Sequence, residues 1–272
     1  MIYTDFHLHT SFSSDSTAPM ESMVLQGIAL GLKTICFTEH YDPDFPSIPS
    51  GMDFSLDFDA YYEETRRLAE KYADRIEILH GIELGVQPHL GRELDAFYKQ
   101  YGSRYDFIIN SCHLVERMDP YYPEFFHTYG PRDGMILYYE TLYKNLLCFN
   151  SYQAAGHLDY ACRYIPKPVP VFRYEDYRDI LDAILTLIIE KDKALEVNTA
   201  GLKAGLDWPN PHMEILKRYK ALGGTRITIG SDGHRPEHMA YDFAGLPSIL
   251  KEAGFDHYEI YRKQQAVLLP IE

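Results

Sequence analysis

The sequence predicts an α/β protein built on a parallel sheet or barrel, and three observations point there. Strand-like runs alternate with helical runs seven times along the 272 residues, the order that builds parallel sheets and barrels. Each strand-like run ends in a polar residue of the kind that ligates metals or carries protons. The length suits one domain over residues 1–272, because α/β barrels commonly reach about 250 residues as a single unit.

Ile2 to Phe6 is the first strand and leads into Asp5-Phe6-His7-Leu8-His9-Thr10. Side chains alternate along a strand, so His7 and His9 leave on one face. Asp5, in phase but deeper, is a candidate to orient an imidazole. Ser11 to Thr17 is a polar loop, and Thr17 with Pro19 predicts an N-cap and a first-turn proline. Met20, Met23, Val24, Ile28 and Leu32 repeat at helical spacing, with Gly31 weakening the end. Lys33 to Thr38 is the second strand, stopping at Glu39-His40.

Tyr41 to Leu56, with Pro43, Pro46, Pro49 and Gly51, is a long irregular connection of the kind that covers a site. Asp57 to Ala73 is an amphipathic helix, and Ile76 to Gly81 is the third strand, reaching Glu83. A helix from Gly91 to Tyr101 precedes the fourth strand, Tyr105 to Ser111, which ends at His113. Glu116 to Arg132 is a second irregular stretch, and Met135 to Phe149 is a helix. The fifth strand, Tyr152 to Gly156, ends at His157. An apolar helix from Glu175 to Lys191 leads to the sixth, Ala194 to Val197, which ends at Asn198. A helix from Pro209 to Leu222 closes at Gly223-Gly224, and the seventh strand, Arg226 to Ser231, ends at Asp232. A short helix near Pro247 to Ala253 precedes a tail without a clear pattern.

Composition narrows the function. A formal charge of −14 repels phosphate backbones, which argues against nucleic acid as a partner. An anionic small substrate meets the same repulsion unless a local positive charge holds it, and bound metal ions supply that charge. The 23 tyrosines suggest amphipathic walls around a pocket. Cys36, Cys112, Cys148 and Cys162 show no Cys-x-x-Cys spacing and read as free buried thiols. No basic-then-apolar leader and no run of about 18 apolar residues is present, so a cytoplasmic protein without membrane contact is expected.

The strand ends bring together His7, His9, His40, Glu83, His113, His157 and Asp232, and the His-x-His spacing is echoed by His157-Leu158-Asp159 and Asp232-Gly233-His234. Gly230 shares the parity of Asp232 and is expected to leave room for that carboxylate. Imidazoles and carboxylates without thiolates suit Zn, Fe or Mn better than Ca or Mg, and more than four ligands means more than one ion.

The pattern His7-x-His9, Asp15, Glu39-His40, Glu83, His113, Gly156-His157-x-Asp159 and Ser231-Asp232-x-His234 resembles the PHP (polymerase and histidinol phosphatase) superfamily, and within it the histidinol-phosphatase branch. The resemblance runs from Asp5 to His234. It implies a distorted seven-stranded β/α (TIM-like) barrel and a centre of two to three divalent ions. By the resemblance, His7, His9, Glu83 and Asp232 would hold one ion, with Glu83 bridging to a second that also takes His113 and His157. Asp15, His40 and His234 would hold the third; some members of the family carry His at position 15, so Asp15 implies a harder or weaker third site. The other histidines, His80, His89, His127, His212, His238 and His257, match no motif position, and most of them read as ordinary surface or helix residues.

The activity implied is that of a phosphomonoesterase converting L-histidinol phosphate and water to L-histidinol and phosphate in histidine biosynthesis, with a metal-bridging hydroxide attacking phosphorus. Arg163 and Arg235 are expected to grip the phosphate, and the leaving alkoxide takes its proton from Asp232, His234 or a metal-bound water. Tyr41, Asp42, His127 and Asn198 are candidates for the organic half. Another small phosphate ester, or a nucleic-acid end, is the rival substrate. The partner expected is a small phosphorylated molecule, with a homo-oligomer left open.

Overall fold

A ring of short parallel strands carries every strand-end residue predicted above to one rim. In the computed structural model, which describes residues 2–46, 53–167 and 172–272, the ring is β1 (Thr4–Leu8), β2 (Thr34–Phe37), β3 (His40–Tyr41), β4 (Glu77–Gly85), β5 (Phe107–Ser111), β6 (Ala154–Ala155), β7 (Ala194–Asn198) and β8 (Ile227–Gly230). The order is β1-β2-β4-β5-β6-β7-β8, all parallel, with β3 continuing beside β4 after β2 ends. The seam between β1 and β8 is closed by a Leu8–Gly233 bridge, with the His9 amide donating to the Gly233 carbonyl at 3.0 Å. The result is the expected distorted seven-stranded barrel, in which β3 is a two-residue addition.

The seven predicted helices form as α1 (Met20–Ala29), α2 (Phe58–Lys71), α3 (Gly91–Tyr101), α5 (Pro131–Cys148), α6 (Arg178–Glu190), α8 (Met213–Ala221) and α9 (Leu246–Glu252), and two that were not expected, α4 (Pro123–Tyr129) and α7 (Ala200–Lys203), join them. Their apolar faces cover the ring; Leu68 of α2, Leu142 of α5 and Ile184 of α6 are fully buried. Tyr61 of α2 shows how a buried tyrosine is satisfied, its hydroxyl donating toward the carbonyls of Phe37 (2.9 Å) and Gly81 (2.8 Å). None of the helices among the described residues is long and apolar enough to cross a membrane.

Several local expectations change. Thr17 does not cap α1: the helix starts after Pro19 without a side-chain cap, because Ser11 to Ala18 is held instead by the Ser11 amide on the Ala18 carbonyl and Ser16 Oγ on the His234 carbonyl. The stretch from Glu116 to Arg132 is partly helical, since Pro123 and Pro131 each open a helix at a position where the missing N–H costs nothing. The helix expected from Pro209 begins at Met213, because Asn210 is bridged to Asn198 and the His212 ring caps the Glu214 amide. The tail forms an antiparallel hairpin, β9 (His257–Arg262) and β10 (Gln265–Pro270). Of the connection from Tyr41 to Leu56, residues 47–52 lie outside the described residues. The thiols are free, Cys148 half-buried and the other three buried.

Candidate metal centre

Glu83, near the C-terminal end of β4 and fully buried, is the hub of the site. Its Oε1 lies 2.8 Å from His157 Nε2 and 3.1 Å from His113 Nε2. Its Oε2 lies 3.0 Å from His40 Nδ1, 3.1 Å from His7 Nε2 and 3.4 Å from His9 Nε2. Asp232 closes one side, with Oδ1 at 3.6 Å from His9 Nε2 and 4.0 Å from His7 Nε2. On the other, Asp15 Oδ2 sits 3.0 Å from His234 Nε2 and 3.5 Å from His40 Nε2. All nine residues singled out as metal ligands therefore gather in one cluster.

Two things position these groups. His7 and His9 do share a face, their rings 5.0 Å apart. Asp232 leaves β8 in the left-handed region, φ +52, a conformation that costs a non-glycine residue energy and is concentrated at functional sites. The space at Gly230 is used differently from expectation: a Cβ there would overlap the Cβ of His7 and crowd Glu196, so the gap admits His7 rather than Asp232.

Asp5 does not orient an imidazole. β1 carries one extra residue relative to β2 between Asp5 and Leu8, a bulge that breaks the alternation. Asp5 instead accepts from the Ser231 amide (2.9 Å), the Ser231 hydroxyl (2.5 Å) and the Ala240 amide (2.9 Å), clamping the seam. The carboxylate that orients His7 is Glu196 of β7, with Oε1 2.5 Å from His7 Nδ1 and Oε2 accepting the His157 amide at 2.7 Å. Asp42 does the same for His113, at 2.7 Å from Nδ1, so it belongs with the imidazoles and not with the organic half of a substrate. Ser13 Oγ donates to Glu39 (2.5 Å) and can therefore accept from His9 Nδ1 (3.3 Å). His234 Nδ1 lies 3.1 Å from the Asp232 carbonyl. With Nδ1–H donated outward, His7, His9, His113 and His234 turn an Nε2 lone pair inward, the tautomer a metal ligand needs.

The residues fit metal ions. His7 Nε2, His9 Nε2, His40 Nδ1, Glu83 Oε2 and His234 Nε2 are buried and have no hydrogen-bond partner among the described residues, an arrangement that costs energy unless something else binds them. Triads such as His7-His9-Glu83, Glu83-His113-His157 and His9-His40-His234 have their ligand atoms within 4.8 Å of one another, enough for several ions. The donor set is nitrogen and oxygen without sulfur, which suits Zn, Fe or Mn. In the protein alone, burial opposes the charged form of Glu83, yet His7, His113 and His40 hold its carboxyl well below the usual range. Burial likewise opposes the His113 imidazolium, but Asp42 and Glu83 push it up to about 10.

Above the cluster opens a cavity of about 580 Å³. Arg163 lines it, its side chain 6% exposed and fixed to Asp232 Oδ2 (2.8 Å), Asn210 Oδ1 (2.7 Å) and Asn198 Oδ1 (3.2 Å). Arg235 stands exposed at the rim. Lys203, which sequence reading missed, also lines the cavity, its Nζ donating to the Asp232 carbonyl at 2.8 Å. The far wall is Tyr121, Tyr122, Tyr160 and Tyr164 around Asp119, which accepts from the Tyr121 amide (2.8 Å) and the Tyr160 hydroxyl (3.2 Å). Asp159 points away, accepting from Asn210 Nδ2 (2.6 Å) and the His212 amide (2.9 Å). Asn198 supports Arg163, while Tyr41 packs on Phe58 and Phe97, and His127 lies exposed on α4.

Comparison with known proteins places this architecture. The PHP domain is matched over residues 5–200. Histidinol-phosphatase of Lactococcus lactis subsp. lactis is 34% identical over 92% of this chain and 91% of its own. A probable histidinol-phosphatase of Clostridium acetobutylicum is 31% identical over 88% and 89%. The crystal structure of histidinol phosphate phosphatase from Lactococcus lactis subsp. lactis, complexed with zinc, L-histidinol and phosphate, superposes with a TM-score of 0.87 at 31% identity, over 97% of this chain and 98% of that one.

Proposed function

The chain belongs to the PHP family, in its histidinol-phosphatase branch, and on that premise we propose that it hydrolyses L-histidinol phosphate to L-histidinol and phosphate. The observation that carries the reading is a match of chemistries. The similar Lactococcus structure holds zinc, L-histidinol and phosphate, and this cavity offers a metal-ready cluster, a cationic side and an acidic aromatic wall.

His7, His9, Glu83, Asp232, His113, His157, Asp15, His40 and His234 would hold two to three ions. Such ions, when bound, supply positive charge for a phosphate and lower the pKa of a coordinated water toward about 7. Arg163 is the fixed phosphate contact, because its guanidinium is already oriented by Asp232 and Asn210. Lys203 and Arg235 extend the same cationic side. Asp232 is kept ionised: burial opposes its charge, but His7 and Arg163 outweigh burial and hold its carboxyl well below the usual range. It therefore begins the cycle as an ionised hydrogen-bond acceptor at Oδ1 for the attacking water, and the leaving alkoxide takes its proton from Asp232, His234 or a metal-bound water. Asp119 faces the ammonium of histidinol, and the tyrosines beside it face the imidazole. Residence in the cytoplasm and the organisation of residues 1–272 as one domain belong to the same reading.

The test is phosphate release from L-histidinol phosphate beside other phosphomonoesters and a single-stranded oligonucleotide, on protein whose bound metals have been counted. Preference for histidinol phosphate with two to three ions per chain is expected. Metal-loaded protein that ignores histidinol phosphate and cleaves another ester would overturn the substrate and keep the site.

A further inference from the structure

A second cleft, of about 530 Å³, lies on the opposite side of β4 from Glu83, toward the N-terminal ends of the strands. Alternation along β4 turns Glu83 into the barrel and His80 outward, under α2. Tyr62, Arg66, Arg104, Tyr105 and Lys263 line the cleft around His80, which is 5% exposed.

The hydrogen bonds of His80 fix its tautomer. Thr65 Oγ1 donates to the Tyr61 carbonyl at 2.8 Å, so its one proton is committed, and it accepts from His80 Nδ1 at 3.2 Å. His80 Nε2 is then a bare lone pair, and it has no partner among the described residues. Burial and the nearby Arg104 push this imidazole down to about 3, which keeps it neutral. An unpaired acceptor in that position is costly unless a donor reaches it.

The rim has the opposite character. Arg104 pairs with Asp59 at 2.6 Å, and Arg66 with Glu70 at 3.3 Å and Glu63 at 3.9 Å, acids that are not among the residues lining the cleft. Asp106, the acid within it, has both oxygens occupied by the amides of His80 (3.1 Å) and Lys263 (2.8 Å). The Lys263 ammonium, on the exposed turn of the hairpin, has no acidic partner among the described residues.

We propose that this cleft is a second ligand site, separate from the metal centre, for a small planar acid whose ring carries an N–H donor. The ring N–H meets His80 Nε2, and the acid group meets Lys263 and the two arginines. Nothing in this proposal depends on the reaction at the metal centre.

The test uses full-length protein labelled with ring-¹⁵N histidine, with the His80 signals assigned by their loss in His80→Phe. His80 Nε2 is expected at the frequency of an unprotonated imidazole nitrogen. Pyrrole-2-carboxylate, which has a non-basic ring N–H, should shift it saturably. Furan-2-carboxylate, nearly the same shape without the donor, and inorganic phosphate should leave it in place. Lys263→Glu should weaken the pyrrole acid by roughly tenfold or more, the loss of a charge-assisted contact. No shift with pyrrole-2-carboxylate, an equal shift with the furan acid, or indifference to Lys263→Glu would each overturn the proposal. Should His80→Phe fail to fold, His80→Asn supplies the assignment, and the furan control and the exposed Lys263 variant are read on the same signal.

Discussion

Glu196→Gln is the most informative single change, because it alters one atom of a residue that touches no substrate. Glu196 Oε1 receives His7 Nδ1–H at 2.5 Å and Oε2 receives the His157 amide at 2.7 Å. A glutamine has only one oxygen for these two donors. The backbone amide of His157 cannot be anything but a donor, so the glutamine oxygen must face it and the NH₂ must face His7. His7 can then avoid a donor–donor clash only by moving its proton to Nε2, the atom turned toward Glu83 and Asp232. That removes one ligand without moving a strand. Carboxylates that orient a metal-bound imidazole are worth about 10–100-fold in metal affinity or activity, or ~1.4–2.8 kcal/mol. The assay is metal content per chain after dialysis against graded chelator, with kcat/KM for histidinol phosphate on the same samples and the circular dichroism spectrum as a control on folding. Glu196→Gln protein that binds metal and turns over within twofold of the parent would refute the tautomer reasoning.

Other outcomes follow from the same geometry. Asp119, pushed up to about 6 by burial despite the hydrogen bond it accepts from the Tyr121 amide, is ionised at pH 7.5 and loses its charge as pH falls through about 6. The preference in kcat/KM for histidinol phosphate over an amine-free phosphate ester should therefore drop between pH 7 and 5. Asp119→Asn should make that ratio low, by about tenfold or more, and flat with pH. Lys203→Ala should lower kcat/KM at least about tenfold by removing a phosphate-side cation, with Lys203→Arg recovering most of it. Exhaustive chelation should abolish turnover and lower the melting temperature, with Zn or Mn restoring both; activity surviving in metal-free protein would contradict the centre. Gly230→Ala should destabilise the fold by about 1–3 kcal/mol in denaturant titrations, because its Cβ overlaps that of His7.

What the sequence disclosed was what is local along the chain. His7 and His9 stand two apart at the end of β1, so their shared face needed only the period of a strand; Asp232 and His234 have the same spacing but lie past the end of β8, with Asp232 in the left-handed region, so their meeting did not follow from that period. Glu196 could not be found this way, because it reaches His7 across the barrel, 189 residues away. Its signal was a charged residue in the otherwise apolar Ala194-Leu195-Glu196-Val197, which has no reason to be buried alone. Asp5 was assigned by counting alternate residues, and a bulge of one residue is invisible to that count. Lys203 sits on a four-residue helix that resembles any surface turn. The hairpin was hidden because its turn, Lys263-Gln264, adopts positive φ at both positions, +49 and +62, without the Gly or Asn that usually signals it.

The seam has a consequence for how the protein is made. Asp5 can take hold of Ser231 and Ala240 only after those residues, 226 and 235 positions later, have been synthesised. At usual rates of about 5–20 residues per second, that leaves the free edge of β1 bare for roughly tens of seconds. Such an edge is a template for other chains, and the wide sequence separation makes ring closure slow even once the chain is complete. Chains ending before residue 231 should therefore carry most of the strands and still aggregate, a result that sedimentation of such truncated chains beside the full-length protein would show.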